Sequence, residues 1–164
     1  MYKLLFLFFM AGSVQGACYD FAGEKFGISP NLLKAISLVE SNNKGGIVSK
    51  INKNGTYDIG IMQINSSHLK FLRTIGINES TLLQDDCTNI IVGAYLLRKN
   101  FIYFKGDVRR AIGAYNAGFS MKNERLGDAY VSKVFNKYKR FADLNPENRV
   151  LKDILPSAEA EFSP

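Results

Sequence analysis

The chain has 164 residues, of which 46% are hydrophobic and 4 are proline, so its length fits one ordinary domain with a sizeable core. One histidine and two cysteines exclude a zinc site built from those residue types alone. The formal net charge of +6 favours an anionic partner, but no nucleic-acid motif is recognisable, and we expect no nucleic-acid partner.

Residues 1–17 have the three parts of a secretory signal peptide. Lys3 supplies the positive charge, residues 4–11 form an apolar run, and small residues close the segment. The run is too short to span a bilayer. We therefore expect cleavage after Gly16 or Ala17 and a mature protein in the periplasm.

The expected export determines how we interpret the two cysteines, Cys18 and Cys87. An exported protein folds in an oxidising compartment, so a disulfide is favoured over a metal or redox pair. A bridge closing so long a loop would stabilise the fold by roughly 4 kcal/mol in the chain-entropy model. In the alternative, Cys18 is the acylated residue of a lipoprotein, but Gln15 stands where such signals usually carry an aliphatic residue. We expect no metal and no cofactor.

Two helices are predicted at the start of the mature chain. The first, residues 18–26, ends at Gly27, which tolerates the left-handed conformation that follows a helix. The second starts at Ser29 as N-cap and Pro30 as first helical residue, because proline lacks an amide hydrogen that would be unpaired there. Its apolar residues recur at helical spacing, and Glu40 shares their side of the last turn.

A small hairpin and further helices are predicted next. Asn54-Gly55 is the strongest short signal for a two-residue hairpin turn, and such a turn would place Ile51 opposite Asp58. His68 is expected to be an exposed helix residue. The four segments with helical patterns are SSHLKFLRTI, CTNIIVGAYLLRKNFIYF, DVRRAIGAYNAG and GDAYVSKVFNKYKRF.

Glu40 is the first candidate for catalysis. A carboxyl group on the apolar side of a helix has a raised pKa, which keeps it protonated near neutral pH. Cleavage of a glycosidic bond needs such an acid to protonate the leaving oxygen. Periodicity alone leaves the alternative of a helix-end glutamate that simply reaches water.

Three stretches accompany Glu40-Ser41: GIMQIN at 60–65, AYNAG at 114–118, and Tyr130 in GDAYVSKV. In this order they resemble the motif set of the lytic transglycosylases related to goose-type lysozyme. The signal peptide, the compact size and the wording YDIGIMQIN are most similar to the small specialised members that accompany type III and type IV secretion machines. The resemblance implies a mainly α, lysozyme-like (α+β) single domain with one small β-hairpin.

The resemblance also implies roles for single residues. Glu40 would be the catalytic acid and then the base, with Ser41 helping to orient it. Gly60 would let the backbone approach the sugar, and Met62 would line the cleft, although Met62 is equally explained as a core residue. Eight residues would bind or surround the substrate: Ser41, Gly60, Met62, Gln63, Asn65, Tyr115, Asn116 and Tyr130.

Asp58 departs from the one-carboxylate pattern of the family that the chain resembles. It lies on the predicted hairpin, two residues before Gly60, where it could face Glu40 across the cleft. We take Asp58 as a second catalytic candidate, either as a nucleophile or as the group that activates water, depending on its distance from Glu40. The alternative is a hairpin aspartate bonded to nearby backbone.

The expected reaction cleaves the β-1,4 bond between N-acetylmuramic acid and N-acetylglucosamine in peptidoglycan and leaves 1,6-anhydro ends. One alternative keeps the fold but uses water, as a muramidase with Asp58 as second carboxylate. Another alternative is a wall-binding adaptor that has lost catalysis. The retention of Glu40 with all three accompanying motifs argues against it.

Three regions are expected: the signal peptide, the transglycosylase domain at 18–141 and a tail at 142–164. We expect the protein to act as a monomer. The tail holds five acidic residues against two basic ones, a net charge of −3, so the domain carries +8. We expect the tail to be poorly ordered. Its charge contrast with the domain raises the further hypothesis that it docks on a component of a secretion apparatus.

Overall fold

The computed structural model describes residues 14–120 and 124–142. These residues form seven α-helices and one two-stranded antiparallel sheet, so the prediction of a mainly α domain with one small sheet is confirmed. The helices are α1 (Val14–Phe26), α2 (Pro30–Glu40), α3 (Leu69–Thr74), α4 (Glu79–Gln84), α5 (Asp86–Tyr103), α6 (Val108–Ala117) and α7 (Glu124–Ala142). The strands are β1 (Asp58–Ile59) and β2 (Ile64–Asn65), and a single 3-10 turn at Ser66–His68 leads into α3.

Helix α2 packs against both α1 and α7, and α5 and α6 complete the bundle around it. Leu32, Leu33 and Ile36 of α2 are fully buried because they recur on one side of the helix. As predicted, Pro30 is the first helical residue. The carbonyl oxygen of Ser29, rather than its hydroxyl group, accepts the first helical hydrogen bonds.

Helix α1 begins at Val14, before the predicted start at residue 18, so cleavage after Gly16 or Ala17 would shorten it. Its predicted end is confirmed by Gly27, whose φ is 60°. The predicted disulfide between Cys18 and Cys87 is present and joins α1 to the first turn of α5.

The hairpin prediction is wrong in its register and in the turn that joins the two strands. Asp58 pairs with Asn65, so the sheet is closed by residues 60–63 rather than by Asn54-Gly55. A turn does form at Asn54-Gly55, but the backbone amide of Ser49, not Ile51, bonds the carbonyl oxygen of Asp58. The Asn-Gly pair fixed a local turn, while contacts made far along the chain fixed the pairing.

Two helical features differ from the expectation. Helix α4 was not predicted, and the segment 66–75 divides into the 3-10 turn and α3. Within the described residues, no helix is both long and apolar enough to cross a membrane. The predicted tail, apart from Ala142, and nearly all of the predicted signal peptide lie outside the described residues.

Candidate active site

Glu40 is the last residue of α2, where the helix that forms the centre of the core reaches the surface. Its side chain is half-buried. The carboxyl oxygen Oε1 accepts a 2.5 Å hydrogen bond from the Tyr130 hydroxyl of α7. Burial is the main cause that raises the pKa of Glu40, to about 7. The Tyr130 hydrogen bond lowers this pKa, and the charge of Asp58 raises it further. The carboxyl group is therefore suited to hold a proton near neutral pH and to release it.

Two tyrosine hydroxyl groups face this carboxyl group from neighbouring helices. Burial, together with the charge of Glu40, raises the pKa of both Tyr115 and Tyr130 well above the usual value. Both phenols therefore stay protonated and serve as donors. Tyr130 donates to Glu40, while Tyr115 donates to the carbonyl oxygen of Met62 at 3.0 Å.

The loop of residues 60–63 closes the sheet and is held by the amide of Asn89. Asn89 is fully buried in α5; its Nδ2 donates to the carbonyl oxygens of Ile59 and Leu82, and its Oδ1 accepts from the amide of Met62. Sequence reasoning did not find Asn89, because its partners lie far away along the chain. A buried amide with all these bonds satisfied fixes the shape of the loop.

Gly60 serves this loop rather than a backbone approach to sugar. Its φ is +73°, and an added Cβ would lie 2.2 Å from Nδ2 of Asn89. The side chain of Met62 does not line the cleft as predicted, because it is fully buried against Gly93. Gln63, at φ 48°, remains half-buried, and its Nε2 donates to the carbonyl oxygen of Gly60 at 2.8 Å.

The carboxylate of Asp58 is held by three polar side chains. Asn65 donates to its Oδ1 at 2.7 Å, and Asn52 and Ser49 donate to its Oδ2 at 3.1 and 3.4 Å. Asn65 therefore orients Asp58. The side-chain oxygen of Asn65 accepts a hydrogen bond from the backbone amide of Ser67.

These elements surround a cleft of about 900 Å³. The predicted residues that line it are Glu40, Asp58, Gln63, Asn65, Tyr115 and Asn116. Ser41, Gly60, Met62 and Tyr130 are buried instead. Ser41 donates to the carbonyl oxygen of Ile61 at 2.7 Å, which ties the end of α2 to the 60–63 loop.

The cleft also contains residues that the motifs did not indicate. His68 lines it and is half-buried, so the expectation of an exposed residue is wrong. Burial and the charge of Lys99, which also lines the cleft, lower the pKa of His68. Within the described residues, no group of three or more His, Cys, Asp or Glu side chains could hold a metal ion.

Comparison with protein families matches residues 17–137 to the Transglycosylase SLT domain. The chain belongs to this family, which confirms the resemblance to lytic transglycosylases. It is therefore a peptidoglycan-cleaving enzyme, and its substrate lies outside the cytoplasmic membrane.

Similar proteins cover most of the chain. Invasion protein IagB of Salmonella typhi is 39% identical over 132 residues, which are 80% of this chain and 81% of IagB. Protein IpgF of Shigella flexneri is 36% identical over 148 residues, 90% of this chain and 95% of IpgF. X polypeptide of Escherichia coli is 41% identical over 138 residues, 80% of this chain and 79% of that protein.

A solved structure matches the fold. It is the lytic transglycosylase Slt of Pseudomonas aeruginosa, determined as an inactive mutant, with a TM-score of 0.62 and 18% sequence identity. The match covers 87% of this chain and 26% of that chain. The similarity confirms the predicted lysozyme-like fold class.

The raised pKa of Glu40 predicts a pH-dependent stability difference for Glu40→Gln. The folded chain keeps this proton up to about pH 7, whereas the unfolded chain releases it near 4.5, so ionisation lowers the free energy of unfolding across that window. The variant should match the wild type near pH 4 and exceed it at pH 8, by roughly 3 kcal/mol at most. Denaturant unfolding at several pH values measures this.

The matched control is Glu24→Gln, the same change on an exposed glutamate of α1. It should leave the pH dependence unchanged. A stability difference between Glu40→Gln and the wild type that does not vary with pH would contradict the assignment of the pKa of Glu40.

Proposed function

We propose that the chain cleaves the β-1,4 bond between N-acetylmuramic acid and N-acetylglucosamine and leaves 1,6-anhydro ends, with Glu40 as acid and then base. The observation that carries the proposal is the half-buried carboxyl group of Glu40, which has a pKa of about 7 and opens onto the cleft beside two protonated tyrosines. Such a pKa populates both protonation states at neutral pH, which an acid that must later act as a base requires.

In the first step, the Glu40 carboxyl group donates its proton to the glycosidic oxygen while the bond to C1 of the muramic acid breaks. The acetamido oxygen of the same sugar bonds to C1. In the second step, Glu40 takes the proton of the C6 hydroxyl group as that oxygen displaces the acetamido oxygen from C1. The sequence restores protonated Glu40 and consumes no water.

The remaining residues support these steps by binding and orientation. Tyr130 holds the carboxyl group of Glu40 in place, and Tyr115 holds the carbonyl oxygen of Met62 in the 60–63 loop. Asn116 and Gln63 offer amide donors and acceptors to sugar acetamido and hydroxyl groups.

Mass spectrometry of the sugars released from purified peptidoglycan tests the reaction. The wild type should release anhydro-muropeptides, and Glu40→Gln should lower that release by at least about a hundredfold, because the amide cannot donate or take the proton. Glu24→Gln is again the matched control and should release wild-type amounts. Products with reducing ends would contradict transglycosylation and identify a hydrolase.

Asp58 lines the same cleft and raises the pKa of Glu40 through its charge, which supports a catalytic contribution. The hydrolytic alternative would use Asp58 to activate water. Both of its carboxylate oxygens accept hydrogen bonds from side chains of the protein, which hold the carboxylate group in place. We therefore propose that Asp58 stabilises positive charge that develops on the sugar.

Replacing Asp58 with asparagine should lower the rate of wall cleavage about tenfold or more, because the charge is lost. The alkaline limb of the pH–rate profile should also move to lower pH, because the carboxylate no longer raises the pKa of Glu40. Asn52→Ala, which removes one hydrogen-bond donor but keeps the charge, is the matched control and should preserve the limb. Unchanged cleavage by folded Asp58→Asn protein would refute the role.

We further propose that the enzyme opens the wall locally for a secretion apparatus, after removal of residues 1–17 and export to the periplasm. The resemblance of the motifs supports this setting, as does the similarity to a protein named Invasion protein IagB. The acidic tail at 142–164 is the proposed docking segment, because its charge of −3 opposes that of the domain.

Deletion of residues 142–164 tests the docking role. The shortened protein should cleave isolated peptidoglycan at the wild-type rate, because Glu40, Asp58 and Tyr130 all precede the deleted segment. Its share in secretion complexes isolated from cells should fall about fivefold or more if the tail supplies most of the binding energy. Undiminished recruitment would refute the role of the tail.

A further inference from the structure

The chain turns sharply immediately after Glu40. Asn42 and Asn43 have φ values of 55° and 61°, in the left-handed region that residues other than glycine seldom adopt. Asparagine tolerates this region better than most residues, but two in succession need support from their surroundings. Since Glu40 is the last helical residue, this turn is the backbone segment that immediately follows it.

A chain of hydrogen bonds from α1 reaches the turn. The Tyr19 hydroxyl group donates to Oγ of Ser37 at 2.8 Å, and that hydroxyl group donates to Oδ1 of Asn43. The Tyr19 hydroxyl group also lies 3.1 Å from the same Oδ1, and Oγ of Ser37 lies 2.9 Å from the carbonyl oxygen of Lys34. Tyr19, Ser37 and Asn43 therefore form one hydrogen-bonded relay between α1 and the turn. The backbone amide of Asn43 also donates to the carbonyl oxygen of Ser37.

Tyr19 is 2% exposed, and its ring packs in the core cluster. It follows Cys18, and cleavage after residue 17 would make Tyr19 the second residue of the mature protein. A new N-terminus ordinarily frays unless it is tied down. Here the Cys18–Cys87 disulfide ties it to α5.

The same end of α5 touches the segment that follows the turn. A Cβ added to Gly45 would lie 2.0 Å from a carboxylate oxygen of Asp86, the residue before Cys87. The disulfide, the relay and this contact therefore hold the turn from one side. On the other side, Ser41 holds it to the 60–63 loop through the carbonyl oxygen of Ile61.

We propose that Tyr19 is a positioning residue for Glu40, holding the turn after α2 in place from a mature N-terminus that the Cys18–Cys87 disulfide anchors. The inference rests on the proposed function of Glu40 as the acid. It assigns a role in catalysis to the first residues of the mature chain, which lie outside the cleft. A small displacement of the carboxyl group lowers the rate strongly, because proton transfer requires hydrogen-bond geometry.

Tyr19→Phe tests the proposal, because it removes the hydroxyl group and keeps the ring. We expect kcat for wall cleavage to fall about tenfold, with KM changed less than about twofold, since no substrate contact is lost. Tyr138→Phe, the same change on a partly buried tyrosine of α7 that packs against the core, is the matched control and should keep wild-type kcat. A Tyr19→Phe protein with wild-type kcat would overturn the proposal.

A second readout does not depend on turnover. A loosened turn exposes the Glu40 carboxyl group to water, so its pKa, followed by NMR titration, should fall by roughly 0.5 or more in Tyr19→Phe. Asp58, Tyr115 and Tyr130 face this carboxyl group and are unaltered in the variant. Amide hydrogen exchange at residues 41–44 should become faster. If neither quantity changes, the inference fails even where the wild type cleaves the wall.

The two proposals fail separately. A wild-type protein that releases no anhydro-muropeptides would refute the proposed function, whereas the titration and exchange measurements would still decide the role of Tyr19. Cys18→Ser/Cys87→Ser should reproduce the lower pKa of Glu40, and adding Tyr19→Phe to it should change that pKa little, because the relay has already lost its anchor. Fully additive effects would mean that the disulfide does not act through Tyr19.

Discussion

The structure depends on one constraint: the carboxyl group of Glu40 must be buried enough to keep its proton near neutral pH, yet remain in reach of a substrate. Burial and the charge of Asp58 raise its pKa, and the Tyr130 hydroxyl group opposes them, with a result of about 7. A deeper carboxyl group would not ionise, and a more exposed one would not stay protonated. The end of a core helix satisfies both demands, because α2 carries Glu40 from the fully buried Ile36 to the cleft in one turn.

The two tyrosines reach the site because α6 and α7 approach very closely. Their backbones meet at Gly113 and Gly127, where an added Cβ on either glycine would lie 3.2 to 3.3 Å from the Cα of the other. Larger residues would separate the helices. Since Tyr115 and Tyr130 follow these glycines by two and three residues, the packing of the helices also determines where the phenols lie. Gly113 and Gly127 therefore set how closely α6 and α7, which carry the two phenols, can approach each other.

Local signals in the sequence predicted most of the helices and the position of Glu40 at the end of α2, whereas the disulfide was predicted from the expected export. Pro30 and Gly27 mark helix ends by their own covalent geometry, and the position of Glu40 follows from the spacing of residues within one helix. The pairing of the strands could not be predicted in this way. It depends on the buried amide of Asn89, whose partners Ile59 and Met62 lie about thirty residues away, and no local pattern records such contacts. The burial of Met62 has the same origin, as does the failure to single out Asn89.

The two carboxyl groups of the cleft differ in the number of donors that hold them. Among the residues that the structure describes, Asp58 accepts hydrogen bonds from three side chains, whereas Glu40 accepts one, from Tyr130. A carboxylate held by three donors is fixed in place and offers a steady negative charge, which suits it to a developing cation. A half-buried carboxyl group with a single donor can gain or lose a proton with little reorganisation. In the proposed reaction one group must both give and take a proton within a turnover, and the lightly held Glu40 is suited to that exchange, while the proposed role of Asp58 is to supply fixed negative charge in the same cleft.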